Sequence, residues 1–248
     1  MPVKTITFDF WGTLLFDGPG SDDRYKNRRL SEFETLLGSA GISVTAAALD
    51  RAYDESGTYL ARIWSASKDV PVQDHVRAIL AAVDAGLPRR VPSALMTALI
   101  DAYSRPILLV PPAVDNGALA ALQALAGGGY TMAIVSNIMR TPGATLRQVL
   151  ERFRLLSFFK RATFSDEVGI RKPSPEIFAL TLRAIGGEPG TAVHVGDDPI
   201  LDVQGAHAAG MRVIQVTSNA PRARGLLSPD GAIPRLAGLP DAIAQLES

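Results

Sequence analysis

Cysteine is absent from the 248 residues, and neither sign of charge is in excess. The absence of cysteine excludes disulfide bonds and thiolate zinc sites. The balance of 25 basic and 25 acidic residues, with no basic run, argues against nucleic acid as the main partner. No stretch reaches the ~18 uninterrupted apolar residues of a membrane span, and residues 3–8 lack the layout of a signal peptide. We therefore expect a cytoplasmic protein without a membrane or nucleic-acid partner.

Hydrophobic residues make up 47% of the sequence, which is enough for a sizeable core. Residues 3–9 form a short β-rich run, and residues 15–20 contain glycine and proline that indicate a loop. Over residues 22–103, apolar side chains recur at three- and four-residue spacing without a strand pattern. This spacing predicts an all-helical block. The predicted helices cover residues 25–37, 46–64, 72–85 and 93–103.

Strand and helix patterns alternate after Pro111 and Pro112. This alternation is typical of an α/β fold with a mostly parallel, Rossmann-like sheet and helices on both faces. We expect residues 1–16 and 106–248 to form this core and residues 17–105 to form an inserted all-helical domain. The predicted strands cover residues 130–136, 161–164, 191–195 and 211–216. The predicted helices cover residues 116–126, with Asn116 as N-cap, 145–153, 175–185, 200–209 and 239–246.

Polar side chains follow several predicted strands, where an open parallel sheet binds its ligands. Asp9 follows the first strand, and Ser136 and Asn137 end the strand at residues 130–136. Asp197 and Asp198 follow the strand at residues 191–195, and Lys172 lies in a loop before a helix. The sequence therefore predicts carboxylates, a hydroxyl and an ammonium at one edge of the sheet.

These side chains suit a reaction centre for an anionic substrate. A carboxylate such as Asp9 can attack a phosphoryl or carbon centre and form a covalent intermediate. Lys172 and one Mg²⁺ would offset the negative charge of Asp9, Asp197 and a phosphate group. Thr13 and Ser136 offer hydroxyl donors to ligand oxygens.

Four short motifs occur in order along the two core segments. They are residues 9–14 (DFWGTL), Ser136 with Asn137, residues 171–173 (RKP), and residues 196–202 (GDDPILD), which continue into residues 205–211. In these motifs the sequence resembles the haloacid dehalogenase superfamily of hydrolases, in the form that carries a helical C1-type cap. One motif alone is weak, but four in order on the predicted elements form a specific signal. The resemblance implies an active site in a cleft between the Rossmann-like core and the cap.

The resemblance also implies a role for each matched position. Asp9 would be the nucleophile. Thr13, Ser136 and Lys172 would bind and neutralise the transferred group. The matched positions expected to contact the substrate are Trp11, Gly12 and Asn137.

The same resemblance implies a metal site. Mg²⁺ would be held by the carboxylates of Asp9 and Asp197 and by the backbone carbonyl of Trp11. Asp198 or Asp202 would orient Lys172 or a metal-bound water, because partners behind the ligands fix their geometry.

Trp11 departs from the pattern of the superfamily's phosphatases, which usually carry a second Asp two residues after the nucleophile. That Asp protonates the leaving oxygen and later activates water, and such catalysis is typically worth ~10²–10⁴-fold. Indole cannot replace it, because its N–H does not exchange a proton near neutral pH. Three hypotheses follow. They are phosphoryl transfer from a good leaving group or with an acid from elsewhere, dehalogenation, in which halide leaves without a proton, and a ligand-binding core with weak turnover.

The fourth motif favours phosphate chemistry. The 2-haloacid dehalogenases often have an aromatic residue at the Trp11 position, but they use no metal and typically replace the metal-holding Asp by Ser and Asn. This chain retains Asp197, Asp198 and Asp202, and without a cation Asp197 would repel Asp9. We therefore expect a Mg²⁺-dependent phosphatase that acts on a small phosphorylated metabolite as a monomer or homodimer. The alternatives are a metal-independent 2-haloacid dehalogenase and a weakly active ligand-binding protein.

Some of these residues have simpler interpretations. Asp198 could cap the following helix instead of serving the metal, and Trp11 could form a wall of the pocket. His194 lies within a strand and is expected in the core. Aromatic and basic residues of the cap are candidate substrate contacts that the sequence does not rank, namely Arg24, Tyr25, Arg28, Arg29, Tyr53, Tyr59 and Trp64.

Overall fold

A parallel sheet of six strands lies at the centre of the computed structural model, which describes residues 2–218 and 227–247. The strand order is β5-β4-β1-β6-β7-β8, and every neighbouring pair is parallel. A separate antiparallel pair consists of β2 and β3. The strands are β1 (Thr5–Phe8), β2 (Leu15–Phe16), β3 (Ala113–Val114), β4 (Thr131–Ser136), β5 (Arg161–Phe164), β6 (Ala192–Gly196), β7 (Arg212–Val216) and β8 (Gly231–Ile233).

Helices flank the sheet and fill the segment between β2 and β3. Single 3-10 turns cover Leu156–Phe158, Pro189–Thr191 and Leu236–Gly238, and a π-helix covers Pro199–Gln204. The α-helices are α1 (Ser21–Ser39), α2 (Ala46–Ser65), α3 (Val72–Val83), α4 (Leu87–Arg90), α5 (Ser93–Ser104), α6 (Pro106–Leu109), α7 (Ala118–Gly127), α8 (Gly143–Arg152), α9 (Ser165–Val168), α10 (Pro175–Ile185), α11 (Gly205–Ala208) and α12 (Leu239–Glu247).

Alternate residues of the central strands face opposite sides of the sheet. In β4, Met132 and Ile134 join one apolar cluster, while Ala133 and Val135 join a second cluster that contains Phe178 of α10. Both faces of the sheet are therefore covered, as in other parallel sheets. This arrangement confirms the predicted α/β fold with a parallel sheet.

The helical insert, α1 to α6 between β2 and β3, contains the four helices predicted from apolar spacing. The prediction of a loop over residues 15–20 is wrong at its start, because Leu15 pairs with Val114 and Phe16 with Ala113. The partner strand is about a hundred residues away, so no local pattern could reveal the pairing. The proposed domain boundaries, after residue 16 and before residue 106, stay a prediction.

Several element ends differ from the sequence-based expectations. Asn116 is not an N-cap, because α7 begins at Ala118 and the side chain of Asp115 accepts from Gly117 N at 2.8 Å. Strand β8 was not predicted, since its three residues carry no alternating pattern. The helix predicted at 200–209 is divided into the π-helix and α11. No helix among the described residues is long and apolar enough to cross a membrane.

Candidate active site

Three neighbouring strands deliver the first site residues to one edge of the sheet. Strand β1 lies between β4 and β6, in register with both. Asp9 follows β1, Ser136 ends β4, and Asp197 follows β6. The carboxyl ends of parallel strands share one edge, so the structure brings these residues together as the sequence predicted.

Lys172 lies between two buried carboxylates. Its Nζ is 2.6 Å from Asp9 Oδ1 and 2.6 Å from Asp202 Oδ1. All three residues are buried, with exposed fractions of 2% for Lys172, 7% for Asp9 and 0% for Asp202. Buried ion pairs of this kind break at a high cost when one partner is removed, so the ammonium is held firmly against the predicted nucleophile.

Asn137 fixes the backbone of Lys172 through both ends of its side-chain amide. Its Nδ2 donates to Lys172 O at 3.0 Å, and its Oδ1 accepts from Lys172 N at 2.8 Å. The expected contact of Asn137 with the substrate stays a prediction, because the second hydrogen of Nδ2 is not used by these bonds. The residue positions the loop that carries the ammonium.

The helical insert also reaches this loop. Asp69, which lies between α2 and α3, is 2.6 Å from Arg171 Nη1, and its N donates to Gly169 O at 3.1 Å. The guanidinium of Arg171 lies 4.3 Å from the centre of the Trp64 ring, and Trp64 Nε1 donates to Asp69 at 3.0 Å. These buried contacts connect the insert to the residue that precedes Lys172. Trp64 was a candidate from the sequence, but Asp69 was not. No local pattern around Asp69 indicates its contact with the distant Arg171.

Gly12 allows Asp197 to approach the loop that follows Asp9. Its φ of +73° is favourable for glycine, and a Cβ at this position would collide with the Asp197 carboxylate. The carbonyl of Asp197 accepts from Gln215 Nε2 at 2.9 Å. Gly12 therefore shapes the space between the two predicted metal-binding carboxylates.

The pKa values of the four central groups reflect burial and crowding. Burial, followed by repulsion from Asp9 and Asp202, raises the pKa of Asp197 to about 8. Burial also raises the pKa of Asp9, although the ammonium of Lys172 opposes this shift. Burial alone would raise the pKa of Asp202, but Lys172 and His194 outweigh it and hold the pKa below its usual range. Burial would lower the pKa of Lys172, but Asp202 and Asp9 raise it.

The carboxylates fit a divalent cation. One oxygen from each of Asp9, Asp197 and Asp202 lies within 4.8 Å of the others. Both oxygens of Asp202 already have partners, namely Lys172 and His194 at Oδ1 and Asp198 N at Oδ2, whereas Lys172 contacts Asp9 through Oδ1. This leaves Asp9 and Asp197 as the candidate ligands. Three carboxylates and one ammonium carry a net charge of about −2 when ionised, and oxygen donors of this type suit Mg²⁺. The donor set therefore fits an oxygen-binding divalent cation.

Asp198 and Asp202, which the sequence could not tell apart, make different contacts. Asp202 contacts Lys172, and its Oδ1 is 3.0 Å from His194 Nε2, whose Nδ1 is 2.8 Å from Thr7 Oγ1. Asp198 instead accepts from Ile200 N at 2.7 Å and Leu201 N at 2.8 Å, and so caps the following helix. His194 is fully buried, as expected for a core residue, although it supports Asp202.

Two residues of the first motif show different surroundings. Thr13 is fully buried, and its hydroxyl has no hydrogen-bond partner among the described residues, so its expected role toward the transferred group stays a prediction. Trp11 is half-buried and packs edge-on against Phe10, with ring centres 4.9 Å apart. Trp11 lines two cavities, and its expected roles toward the substrate and the metal stay predictions.

Two adjoining cavities open around Trp11. The aspartate recess has a volume of about 210 Å³ and is lined by Asp9, Trp11, Gly12, Asn137, Met139, Arg171, Lys172, Asp197, Asp198, Leu201 and Asp202. The arginine recess has a volume of about 550 Å³ and is lined by Trp11, Gly12, Phe16, Asp17, Asp22, Asp23, Tyr25, Lys26, Arg29, Tyr53, Met139, Arg140 and Thr141. The second recess lies between core loops and the helical insert, where the sequence expects the substrate cleft.

Arg140 belongs to the arginine recess but was not singled out from the sequence. Its position offered a signal, since it follows Ser136 by four residues in the loop after β4. Among the unranked candidates of the insert, the structure brings Tyr25, Arg29 and Tyr53 to the recess. It leaves Arg24, Arg28, Tyr59 and Trp64 outside the lining of that cavity.

A family model described as haloacid dehalogenase-like hydrolase matches residues 3–210, a span that contains Asp9, Lys172 and Asp202. The chain belongs to the haloacid dehalogenase-like hydrolases. It is therefore an enzyme of the hydrolase class, as the motifs predicted.

Relatives of this hydrolase include proteins from bacteria and mammals. Phosphoglycolate phosphatase of Rhodospirillum rubrum is 30% identical over 212 residues, which are 85% of this chain and 78% of that protein. Haloacid dehalogenase-like hydrolase domain-containing protein 3 of Mus musculus is 33% identical over 138 residues. That match covers 54% of this chain and about half, 53%, of the mouse protein.

Solved structures share the fold. The 2-haloacid dehalogenase of Pseudomonas syringae pv. Tomato superposes with a TM-score of 0.72 over 98% of this chain and 99% of that chain. The two sequences are 24% identical. At this identity the likeness establishes the fold of the hydrolase and leaves its reaction open.

Proposed function

We propose that this hydrolase is a Mg²⁺-dependent phosphatase that acts on a small phosphorylated metabolite through Asp9 as the nucleophile. The observation that carries the proposal is the group of three carboxylates within 4.8 Å, with one ammonium beside them. A divalent cation would balance this group and leave the recess able to accept a phosphate. The name of the phosphoglycolate phosphatase relative supports a phosphorylated substrate.

Asp9 and Asp197 would hold Mg²⁺ together with the backbone carbonyl of Trp11. When bound, the ion would supply positive charge that offsets the phosphate and the carboxylates. Gly12 keeps the space beside Asp197 free of a side chain. Asp202 and His194 would act behind this set by holding Lys172.

In the first step an oxygen of Asp9 would attack phosphorus while the bond from phosphorus to the leaving oxygen breaks. Lys172, Ser136 and Thr13 would donate hydrogen bonds to the phosphoryl oxygens as charge shifts onto them. Water would then attack phosphorus, release inorganic phosphate and restore the Asp9 carboxylate. The ammonium, 2.6 Å from Asp9, is already in place for both steps.

The leaving oxygen needs a proton unless it is a good leaving group, and Trp11 cannot give one. The preferred substrates would then be phosphoanhydrides, acyl phosphates, or esters that bring their own acid. This expectation separates the protein from phosphatases that carry Asp at the corresponding position.

The experiment that tests the proposal is phosphate release from a panel of phosphomonoesters and acyl phosphates. We expect release that needs Mg²⁺, stops with EDTA and disappears in Asp9→Asn. The matched control is Asp241→Asn, which changes an exposed carboxylate on α12. Absence of phosphate release across the panel, or equal release by Asp9→Asn, would contradict the proposal.

A second candidate function is metal-independent 2-haloacid dehalogenation. Trp11 is the observation that favours it, since halide departs without a proton and an aromatic wall suits an apolar leaving atom. The measurement is halide release from 2-haloacids in the presence of EDTA. Release that persists with EDTA and is lost in Asp9→Asn would support this candidate over the phosphatase.

A further inference from the structure

Arg29 of α1 is buried among neutral groups. Its exposed fraction is 3%, and its three nitrogens donate to Tyr103 O at 2.7 Å, Tyr53 Oη at 3.0 Å and Thr141 Oγ1 at 3.2 Å. Its guanidinium lies 4.7 Å from the centre of the Tyr103 ring. These bonds fix the side chain in place. The guanidinium contacts an aromatic ring and uncharged oxygens but no carboxylate.

Arg140, on the loop after β4, has similar surroundings. Its Nη1 donates to Ser56 Oγ at 2.9 Å and to Tyr103 Oη at 3.2 Å. Its guanidinium lies 4.2 Å from the centre of the Tyr53 ring. The same two tyrosines, Tyr53 and Tyr103, thus hold both arginines in one cluster.

Neither guanidinium has a carboxylate within salt-bridge distance in residues 2–218 and 227–247, whereas Arg171 and Lys172 do. Three acidic residues also line the arginine recess, namely Asp17, Asp22 and Asp23. All three have exposed side chains, which weakens their attraction for the arginines. Asp17 attracts Arg29 and Asp54 attracts Arg140 at longer range, but neither carboxylate lies within salt-bridge distance. Two partly or wholly buried cations without a carboxylate in direct contact form the kind of site that an anion completes.

The arginine recess adjoins the aspartate recess. Trp11, Gly12 and Met139 line both cavities. A molecule with its phosphoryl group at Asp9 can therefore extend past Trp11 toward the two arginines. The volume of about 550 Å³ accommodates a small metabolite.

We infer that Arg29 and Arg140 form a second anion site, which binds a carboxylate at the far end of the substrate. The inference rests on the proposed phosphatase function and narrows its substrate class to phosphorylated carboxylic acids. A planar guanidinium matches a carboxylate in two parallel hydrogen bonds. The site also explains why the charges of Arg29 and Arg140 are kept out of ion pairs with the protein's own carboxylates.

Binding measurements on the Asp9→Asn chain with Mg²⁺ test this inference without turnover. The probes are matched pairs that differ in the terminal group, namely 2-phosphoglycolate with ethyl phosphate, and the three- and four-carbon homologues with propyl and butyl phosphate. Titration calorimetry should give at least about 10-fold tighter binding of the acid for one chain length. Equal affinity within every pair would overturn the inference.

Variants in the same background separate recognition from structure. Adding Arg140→Gln should remove the preference for the acid while the affinity for the alkyl phosphate stays within about 2-fold. Arg29→Lys, which keeps the charge but loses the planar fork, should reduce the preference and serves where Arg29→Gln fails to fold. Arg28→Gln, an exposed neighbour on α1, is the control and should retain the preference.

The possible failures are distinguishable. A preference for the acid that survives Arg140→Gln would overturn the inference and leave the phosphatase intact. Binding of neither ester, together with no Mg²⁺-dependent phosphate release by the unmodified chain, would overturn both the proposed function and this second site.

Discussion

The two recesses on either side of Trp11 differ in the sign of the charge that the protein leaves unbalanced. In the aspartate recess, Asp9, Asp197 and Asp202 share the ammonium of Lys172. In the arginine recess, two guanidiniums are held by tyrosines and backbone oxygens, with only exposed acids at the margin. One recess therefore has more carboxylates than cations, and the other holds two guanidiniums that have no carboxylate in direct contact.

Under the proposed function, this difference would let one small cleft recognise both ends of its substrate. The recess with excess negative charge would accept a phosphate only together with a divalent cation, whereas the two guanidiniums of the other recess, which have no carboxylate in direct contact, would accept an anion directly. Each uncompensated charge costs stability in the free protein, and this cost is characteristic of functional sites. Changing the charge on either side should therefore alter both binding and stability.

The largest expected effect follows removal of the ammonium from the aspartate recess. Lys172→Met should lower kcat/KM for phosphate release by about 10²–10³-fold or more, because a donor to the developing charge is lost. The uncompensated carboxylates should also destabilise the fold by about 3–5 kcal/mol. Steady-state kinetics and chemical denaturation measure the two effects. Lys4→Met, at an exposed position, is the control, and wild-type turnover in Lys172→Met would contradict the assignment.

Substitution of the wall between the recesses should have the next largest effect. Trp11→Asp restores a proton donor beside the nucleophile and should raise turnover of alkyl phosphates by roughly 10–100-fold. Turnover of p-nitrophenyl phosphate should change less, because its leaving group needs no proton. Trp11→Phe serves as the control. A folded Trp11→Asp protein with slower alkyl phosphate turnover would show that the missing acid does not limit the rate.

The crowded carboxylates of the aspartate recess should lower the stability of the metal-free fold. The pKa of Asp197 is raised to about 8, so with EDTA this group makes the fold less stable as pH rises from about 4 through 8. Asp197→Asn should therefore melt roughly 4 °C or more above the wild type at pH 8 with EDTA. It should also lose the stabilisation that Mg²⁺ gives the wild type.

The neighbouring Asp198 gives a contrast for this test. Asp198→Ala removes a helix cap and should cost about 1 kcal/mol without affecting the response to Mg²⁺. Melting curves with EDTA and with Mg²⁺ decide the point. If Asp197→Asn is less stable than the wild type with EDTA, repulsion at Asp197 does not destabilise the metal-free fold.

His75, which contacts Tyr103 behind the arginine recess, should give the opposite, and smaller, dependence of stability on pH. Burial, opposed by Asp69 and aided by Arg140, lowers the pKa of His75 to about 4, and its Nδ1 lies 3.2 Å from Tyr103 Oη. The unfolded chain then binds the proton more readily than the folded chain does. The stability that neutral His75 contributes is therefore lost as pH falls from 6.5 toward 4. Between pH 7 and pH 5, the free energy of unfolding should fall by about 2 kcal/mol less in His75→Gln than in the wild type. Chemical denaturation at both pH values measures this difference.

His207 is the control, because it is partly exposed and faces Asp230. His207→Gln should leave the pH contribution of His75 in place. An unchanged pH dependence in His75→Gln would contradict the lowering of the His75 pKa by burial.

The rule that ligands bind at the carboxyl ends of parallel strands was enough to predict the aspartate recess. It placed Asp9, Ser136 and Asp197 correctly, because their positions follow from strand order and from the residue after each strand. The sequence could not separate Asp198 from Asp202. Both follow β6 within six residues, and only the path of the π-helix turns one toward Lys172 and the other toward the helix end.

The arginine recess could not be predicted in the same way. Arg29 was one of seven unranked candidates in the insert, and Arg140 was not singled out. Their shared partners, Tyr53 and Tyr103, come from separate helices of the insert. Strand β8 and the β2–β3 pair were missed for a related reason, since short strands carry no periodic pattern and depend on distant partners.

Crystallography tests most directly which of the two recesses binds a divalent cation. Crystals of the wild type grown with Mn²⁺, a substitute for Mg²⁺ with a measurable anomalous signal, report the position of the cation. The account predicts an anomalous peak bound by Asp9 and Asp197 and none at Arg29 or Arg140. A site between Asp9 and Asp197 that stays without a peak at saturating Mn²⁺ would contradict it.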